Sequence, residues 1–240
     1  MPAISPDILA LAKDLRCNIF IESGTFMGES FRRAQASGVF ERCYSVEIVQ
    51  KVYEKVAAAF PATPRRKVFL GRSYEVFPAE IFPRLSAQDR PFFWLDGHFS
   101  KGETGGEDVR CSLLEEIEAI RKHCPTRALV IAIDDTDDLG RRDPDTPGLN
   151  WPTREEVEAA ARRIAPGLVC LDYTGAGKGK KLARGVLIFS HRCPTCLLRL
   201  RRFFIRVRLH CARLLQKVQG RGRRMLDRAA RLRKKREGST

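Results

Sequence analysis

Asn18-Ile-Phe-Ile-Glu22-Ser-Gly24-Thr25-Phe-Met-Gly28-Glu-Ser30 is the stretch on which the reading of this chain turns. The apolar run Ile19 to Ile21 is a short buried strand. It ends in a carboxylate, Glu22, and runs into a turn with glycine at Gly24 and Gly28 before a helical pattern begins. Glycine lets a backbone approach a ligand closely, and a helix N-terminus presents free N–H groups. Strand, glycine turn and helix together are therefore suited to a nucleotide-like ligand. The signal alone is weak, because E-x-G-x-x-x-G lacks the tighter glycine spacing of the dinucleotide fingerprint.

Working outward, the same unit recurs. A helix opens at Ser5-Pro6-Asp7, with serine as cap, proline in the first turn and an acid near the positive end of the dipole. Further strands are expected at about 43–47, 67–71, 91–96, 128–135, 168–173 and 182–189. Helices are expected at about 28–37, 49–60, 74–85 (interrupted by prolines) and 108–123, and after the capping box Thr153-Arg-Glu-Glu156. Strands alternating with helices imply a parallel sheet covered on both faces. No helix separates the last two strands, so they should pair as an antiparallel hairpin. Ligands of such sheets sit outside the carboxyl ends of the strands. Glu22, Glu47, Asp96, Asp134 and Asp135 all fall there.

Two constellations carry chemistry. In the first, Glu47 stands at the end of the strand after the glycine turn, where an acid can accept hydrogen bonds from a ribose diol. The plain alternative is a βαβ unit with solvated strand-end acids. In the second, Asp96, Asp134 and Asp135 would meet if strands four and five are neighbours. Such a cluster repels itself unless a cation or protons intervene, and oxygen ligands of this kind suit Mg²⁺ or another hard divalent ion. His98, two residues after Asp96, would then serve as general base. The plain alternative makes Asp134 and Asp135 loop caps and His98 an ordinary loop histidine. The loop from Gly97 to Gly106 holds four glycines and sits where a lid would be useful.

The chain resembles the class I S-adenosylmethionine-dependent methyltransferases over about residues 5–190, on three features: seven strands ending in a hairpin, E-x-G-x-x-x-G after the first, and an acid after the second. Within that class, Phe93-Trp-Leu-Asp-Gly-His98, the glycine loop and Ile133-Asp-Asp135 look like bacterial metal-dependent O-methyltransferases of the catechol and macrocin/mycinamicin type. The resemblance implies an α/β, Rossmann-like seven-stranded methyltransferase sheet with a C-terminal antiparallel hairpin. It implies S-adenosylmethionine as cofactor, with Glu22, Gly24, Thr25, Gly28, Glu47, Ser73 and Asp96 as its binding residues. It further implies Mg²⁺ on Asp96, Asp134 and Asp135, and His98 with Asp96 as the catalytic pair. One position departs: where many members carry Gly-Asp-Ser after strand three and the Asp contacts adenine, this chain has Gly71-Arg72-Ser73. The Asn-Pro-Pro-Tyr motif of nucleic-acid amino methyltransferases is absent, which counts against methylation of a base nitrogen.

Charge divides the chain. The whole chain carries 44 basic and 29 acidic residues, a net +15. Residues 192–240 hold 17 Lys+Arg and two acids, also +15, which leaves 27 of each sign in residues 1–191. The expected organisation is a neutral domain, 1–191, and a basic amphipathic helical tail, 192–240, disordered in part. Apolar residues at 197, 200, 204, 207, 211, 214, 215 and 218 give the tail its helical stripe. An anionic membrane surface, nucleic acid phosphates and docking onto its own domain are the competing partners. Thin aromatic content (Phe203, Phe204) speaks against single-strand stacking. Cys193-Pro-Thr-Cys196 with His191, His210 or Cys211 has some of the makings of a zinc site, without a second closely spaced pair. The start of the chain has neither the basic nor the apolar region of a secretory leader, and eight scattered cysteines suit a reduced compartment. A cytoplasmic protein, resting at most on the inner membrane face, is expected. Its function would be O-methylation of a small molecule or glycan with Mg²⁺. The rivals are a non-catalytic cofactor fold that presents the tail to membrane or RNA, and an RNA ribose methyltransferase.

Overall fold

In a computed structural model the chain divides into two compact units, Met1–Pro194 and Thr195–Thr240. The structure describes residues 3–97, 111–142, 151–174 and 185–191. The tail's helical stripe, its C-x-x-C and the loop carrying His98 lie outside the described residues.

In chain order the elements are helix α1 (Pro6–Asp14), strand β1 (Ile19–Ser23), α2 (Glu29–Ala36), β2 (Arg42–Glu47), α3 (Gln50–Ala59), β3 (Arg66–Leu70) and α4 (Ser73–Val76). A π-helical turn, Phe77–Ile81, and a 3-10 turn, Phe82–Arg84, extend α4. Then come β4 (Pro91–Leu95), α5 (Leu113–His123), β5 (Val130–Ile133), a 3-10 turn (Thr136–Asp138), α6 (Arg154–Ile164), β6 (Val169–Thr174) and β7 (Gly185–Ser190). The prolines explain the broken helix after β3: a ring without an N–H cannot continue a regular hydrogen-bond ladder, and the turn re-forms with other spacings. Both helix starts read from sequence are present. Ser5 accepts from the Ile8 N–H at 3.3 Å, and Thr153 and Glu156 make a reciprocal capping box.

Seven strands form one sheet in the order β3-β2-β1-β4-β5-β7-β6. β1 to β5 are parallel, and β7 runs antiparallel to both β5 and β6. Strand alternation sorts the core to two faces. Ile19, Ile21, Phe93, Leu95, Ile131 and Ile133 join the buried cluster under α4, α5 and α6. Phe20 and Phe92 point the other way and pack with Phe40, ring centroids 5.3 and 6.1 Å from it. Strands buried on both faces need to be apolar throughout, and β1, β4, β5 and β7 are buried at every position. Polar side chains buried at their carboxyl ends are therefore exceptions that call for a chemical account. Among the described residues no helix is long and apolar enough to cross a membrane.

Candidate functional site

The strand order reverses between β1 and β4, with chain direction running outward to β3 on one side and to β5 on the other. A crevice opens outside the carboxyl ends at such a switch point. Every acid singled out from the sequence lies there and is buried: Glu22, Glu47, Asp96, Asp134 and Asp135.

The turn after β1 is held by side chains from β2. Register places Glu22 beside Ser45. The Ser45 hydroxyl donates to Glu22 Oε2 at 2.6 Å, and Thr25 Oγ1 lies 2.6 Å from the same hydroxyl. Glu47 accepts from the Phe26 N–H at 2.8 Å and from the Val49 N–H at 2.9 Å, one bond on each carboxylate oxygen. Phe26 thereby holds a left-handed backbone, φ 45°, which is rare for a residue with a bulky side chain. A carboxylate has about four acceptor sites, so Glu47 retains capacity for a diol. Glu22, Thr25 and Glu47 are brought together as the sequence predicts; Ser45, which links the first two, was missed. Its signal was the alternation of β2, which turns residues 45 and 47 to the same face.

The two glycines serve packing as well as ligand approach. Gly24 has φ +78°, and a Cβ there would stand 2.4 Å from the Asp96 carbonyl oxygen. Gly28 has φ +73°, and its Cβ would meet the Phe60 ring at 2.7 Å. A third glycine, Gly97, lets the turn after β4 lie against Ser23, whose side chain a Cβ would approach to 2.9 Å. The turns after β1 and β4 thus pack directly on each other, with no room for a side chain at Gly24 or Gly97.

Burial and neighbouring charge shape the acids. Glu22, only 1% exposed, is pushed up to about 8 by burial; the Ser45 hydrogen bond pulls it down and the Glu47 charge adds to the rise. Asp96 is raised well above the ordinary carboxylate range, first by burial and then by the charges of Asp134, Asp135 and Glu22. Strands β4 and β5 are neighbours, and the Asp134 N–H donates to the Leu95 carbonyl at 3.1 Å, so the sequence-predicted approach of these acids occurs. Asp135 takes a left-handed backbone, φ 53°, at the start of the 3-10 turn. Among the described residues, however, no three His, Cys, Asp or Glu side chains are arranged to hold a metal ion. The Mg²⁺ set Asp96, Asp134 and Asp135 is therefore near in space but not disposed as a ligand cage. Burial together with the neighbouring negative charges favours the protonated form of Asp96.

Ser73 opens α4 after β3. Its hydroxyl donates to Oε1 of Glu116, a buried acid in the first turn of α5. Glu116 was missed, although an acid in the apolar stripe Leu113, Ile117, Ile120 is a legible signal. Arg72 donates to the Tyr74 hydroxyl at 3.3 Å. Trp151 is buried, its backbone N–H bonded to the Arg141 carbonyl at 3.2 Å. It lines a cavity of about 10 Å³, the room of one water, with Gly97, Glu116 and Asp134. His98 lies outside the described residues.

A larger cavity, about 290 Å³, opens at the opposite end of the sheet, among Cys17, Arg90, Arg127, Leu129 and His191. It is remote from the strand-end acids and from the glycine turn, so size does not make it the site. The five described cysteines are free, and burial pushes the thiols of Cys17, Cys43 and Cys111 up to about 12. They are protonated core groups, not nucleophiles.

No protein-family model matches the sequence, and no curated protein matches it. Solved structures do. The O-methyltransferase from Bacillus cereus in complex with SAH is 17% identical over 78% of this chain and 82% of its own, with a TM-score of 0.50. The O-methyltransferase TomG from Streptomyces achromogenes, involved in tomaymycin synthesis and solved with SAM, is 16% identical over 78% and 81%, with a TM-score of 0.49. At such identities the likeness speaks for fold, and the argument rests on the first. The chain has the class I methyltransferase fold, an α/β sheet of seven strands with the antiparallel β6–β7 pair.

Proposed function

We propose that the chain is an S-adenosylmethionine-dependent methyltransferase acting on a hydroxyl of a small molecule or glycan. The observation that carries this reading is the pair of buried acids at the ends of β1 and β2. Glu22 is held by Ser45, and Glu47 is clamped on the turn that follows β1. Buried carboxylates are costly unless they meet donors. A ribose diol at Glu47 and an ammonium at Glu22 are the donors that this fold's cofactor carries.

When bound, the cofactor supplies a sulfonium-activated methyl group. The chain has then to bind it, hold the acceptor oxygen in line with the methyl carbon, and remove the acceptor's proton. Glu47 fixes the ribose. Glu22, Thr25 and the turn closed by Gly24 fix the amino-acid end. Asp96, following β4 beside Gly24, faces the boundary between donor and acceptor. His98, next but one along the chain, takes the proton in this reading. Oxygen ligands suit Mg²⁺ in kind, but the described carboxylates do not form its cage, so no step is routed through a metal. Activity that survives a chelator and Asp134→Ala would leave that part of the reading without support.

The test is titration calorimetry with S-adenosylhomocysteine. Binding at or below the order of tens of micromolar is expected, and no binding at that level would sink the proposal. The basic segment 192–240 supports a second contact, with an anionic membrane, because each basic residue near such a surface contributes about 1 kcal/mol. Co-sedimentation with phosphatidylserine vesicles that falls away as salt rises is expected, and a preference for RNA over vesicles at equal salt would overturn it.

A further inference from the structure

The cavity at the amino end of the sheet takes no part in the methyl-transfer reading, and its lining is chemically one-sided. We infer that it is a second binding site, for a small organic carboxylate with an apolar body, whose charged end is held by Arg90. This does not depend on the methyl-donor reading of the crevice.

Position comes from the topology. Arg90 stands just before β4 and Arg127 shortly before β5, while β7 runs antiparallel to β5, so His191 after β7 reaches the same end. The wall between them is tied by hydrogen bonds. The Asn18 N–H donates to the Arg90 carbonyl at 3.1 Å, and the Arg90 N–H donates to Asn18 Oδ1 at 2.8 Å. His191 Nε2 lies 2.7 Å from the Arg127 carbonyl, which can only accept, so this nitrogen carries the proton. The volume, about 290 Å³, stands at the small end of the roughly 300–1,000 Å³ of small-molecule pockets.

Chemistry comes second. No acid lines the cavity. Among the described residues no ion pair holds Arg90, because the adjacent Asp89 is spent on Arg42 at 2.7 Å and on Asn18 at 3.1 Å. The Arg90 charge is felt in the wall: burial pushes the Cys17 thiol up to about 12, and Arg90 pulls it down. Arg127 is committed elsewhere, donating to the Cys124 and Arg121 carbonyls at the end of α5 at 3.3 and 2.9 Å. One guanidinium is thus available, and its planar fork matches one carboxylate. Leu15, Leu129 and Val130 are buried and give an apolar wall, against which a hydrocarbon body gains and a bare inorganic anion does not.

A solvated cleft with an idle arginine is the competing reading. The full chain is titrated by ligand-observed NMR with octanoate, phenylbutyrate, phenylbutyramide and inorganic phosphate, as wild type, Arg90→Gln and Ala128→Phe, with thermal midpoints measured alongside. At least one carboxylate is expected to bind wild type with a Kd on the order of 1 mM or below, and the neutral amide and inorganic phosphate about tenfold or more weakly. Arg90→Gln is expected to weaken the carboxylate by about tenfold. Ala128→Phe, which adds a ring at an exposed position of the lining, is expected to abolish its binding. No saturable binding of either carboxylate up to ~10 mM overturns the site. So does an amide or phosphate that binds as well as the carboxylate, or an affinity unchanged in either variant that still unfolds cooperatively.

Discussion

At the ends of β1 and β2 the buried acids are matched by donors: Ser45 for Glu22, and the Phe26 and Val49 amides for Glu47. At the ends of β4 and β5 three buried acids stand near one another, and Asp96 is raised, first by burial and then by the neighbouring charges. The two halves of one crevice therefore differ in readiness. The first is organised before any ligand arrives, which lowers the ordering cost of binding. In the second, burial and the charges of Asp134 and Asp135 both favour a proton on Asp96. An enzyme that takes one fixed donor and a separate acceptor would need such a division.

The largest effect that bears on this comparison is expected at Gly24. An alanine would demand a left-handed backbone and place a Cβ 2.4 Å from the Asp96 carbonyl oxygen. Both halves would be pushed apart, and Gly24→Ala is expected to destabilise the fold by about 3 kcal/mol or more. Urea denaturation read by circular dichroism checks this, and an unchanged midpoint would mean the turns are not locked together.

Glu47→Ala comes next and attacks the ready half alone. It removes the proposed ribose acceptor and unties Phe26 from its left-handed turn. Affinity for S-adenosylhomocysteine should fall by roughly 10- to 100-fold, the loss of one or two charge-assisted hydrogen bonds. Calorimetry reads it directly.

Glu22 gives a pH signature. Its folded pKa, about 8, lies above the ordinary 4.5. Between those values the fold keeps a proton that the unfolded chain has released, so stability falls as pH rises through that window. The slope is ~1.4 kcal/mol per pH unit for one proton. Glu22→Gln should flatten the dependence and be the more stable form at pH 8. Denaturation midpoints at three pH values would show whether the slope belongs to Glu22.

The smallest effect is expected in the crowded half. Asp134→Asn removes one repelling charge from Asp96 and should raise the thermal midpoint slightly, by an amount worth ~1 kcal/mol or less. A fall in the midpoint on adding Mg²⁺ to wild type but not to the variant would contradict relief of repulsion as the cause.

Much of this was legible in the chain. The strand-ending acids Glu22, Glu47, Asp96 and Asp134 could be read because β1, β2, β4 and β5 are apolar runs that stop at a carboxylate. The β6–β7 hairpin could be read because no helical pattern separates its strands. Ser45 and Glu116 were harder. Each is a polar residue on the buried face of its element, and nothing local says which group it meets there. The contact of the Ser73 hydroxyl with Glu116, forty-three positions along the chain, has no local signal either.

The sequence by itself determined the period of each element, the sheet class and the end of the sheet at which chemistry gathers, because hydrophobic periodicity and turn residues are local properties. Only the tertiary structure decided which acids meet. Strand order made β4 the neighbour of both β1 and β5, and register set Ser45 beside Glu22. The interlocking of Gly24 with Asp96 and of Gly97 with Ser23 fixed the floor between them. Those are contacts across distances in sequence at which pattern carries no information, and they gather the strand-end carboxylates into one crevice.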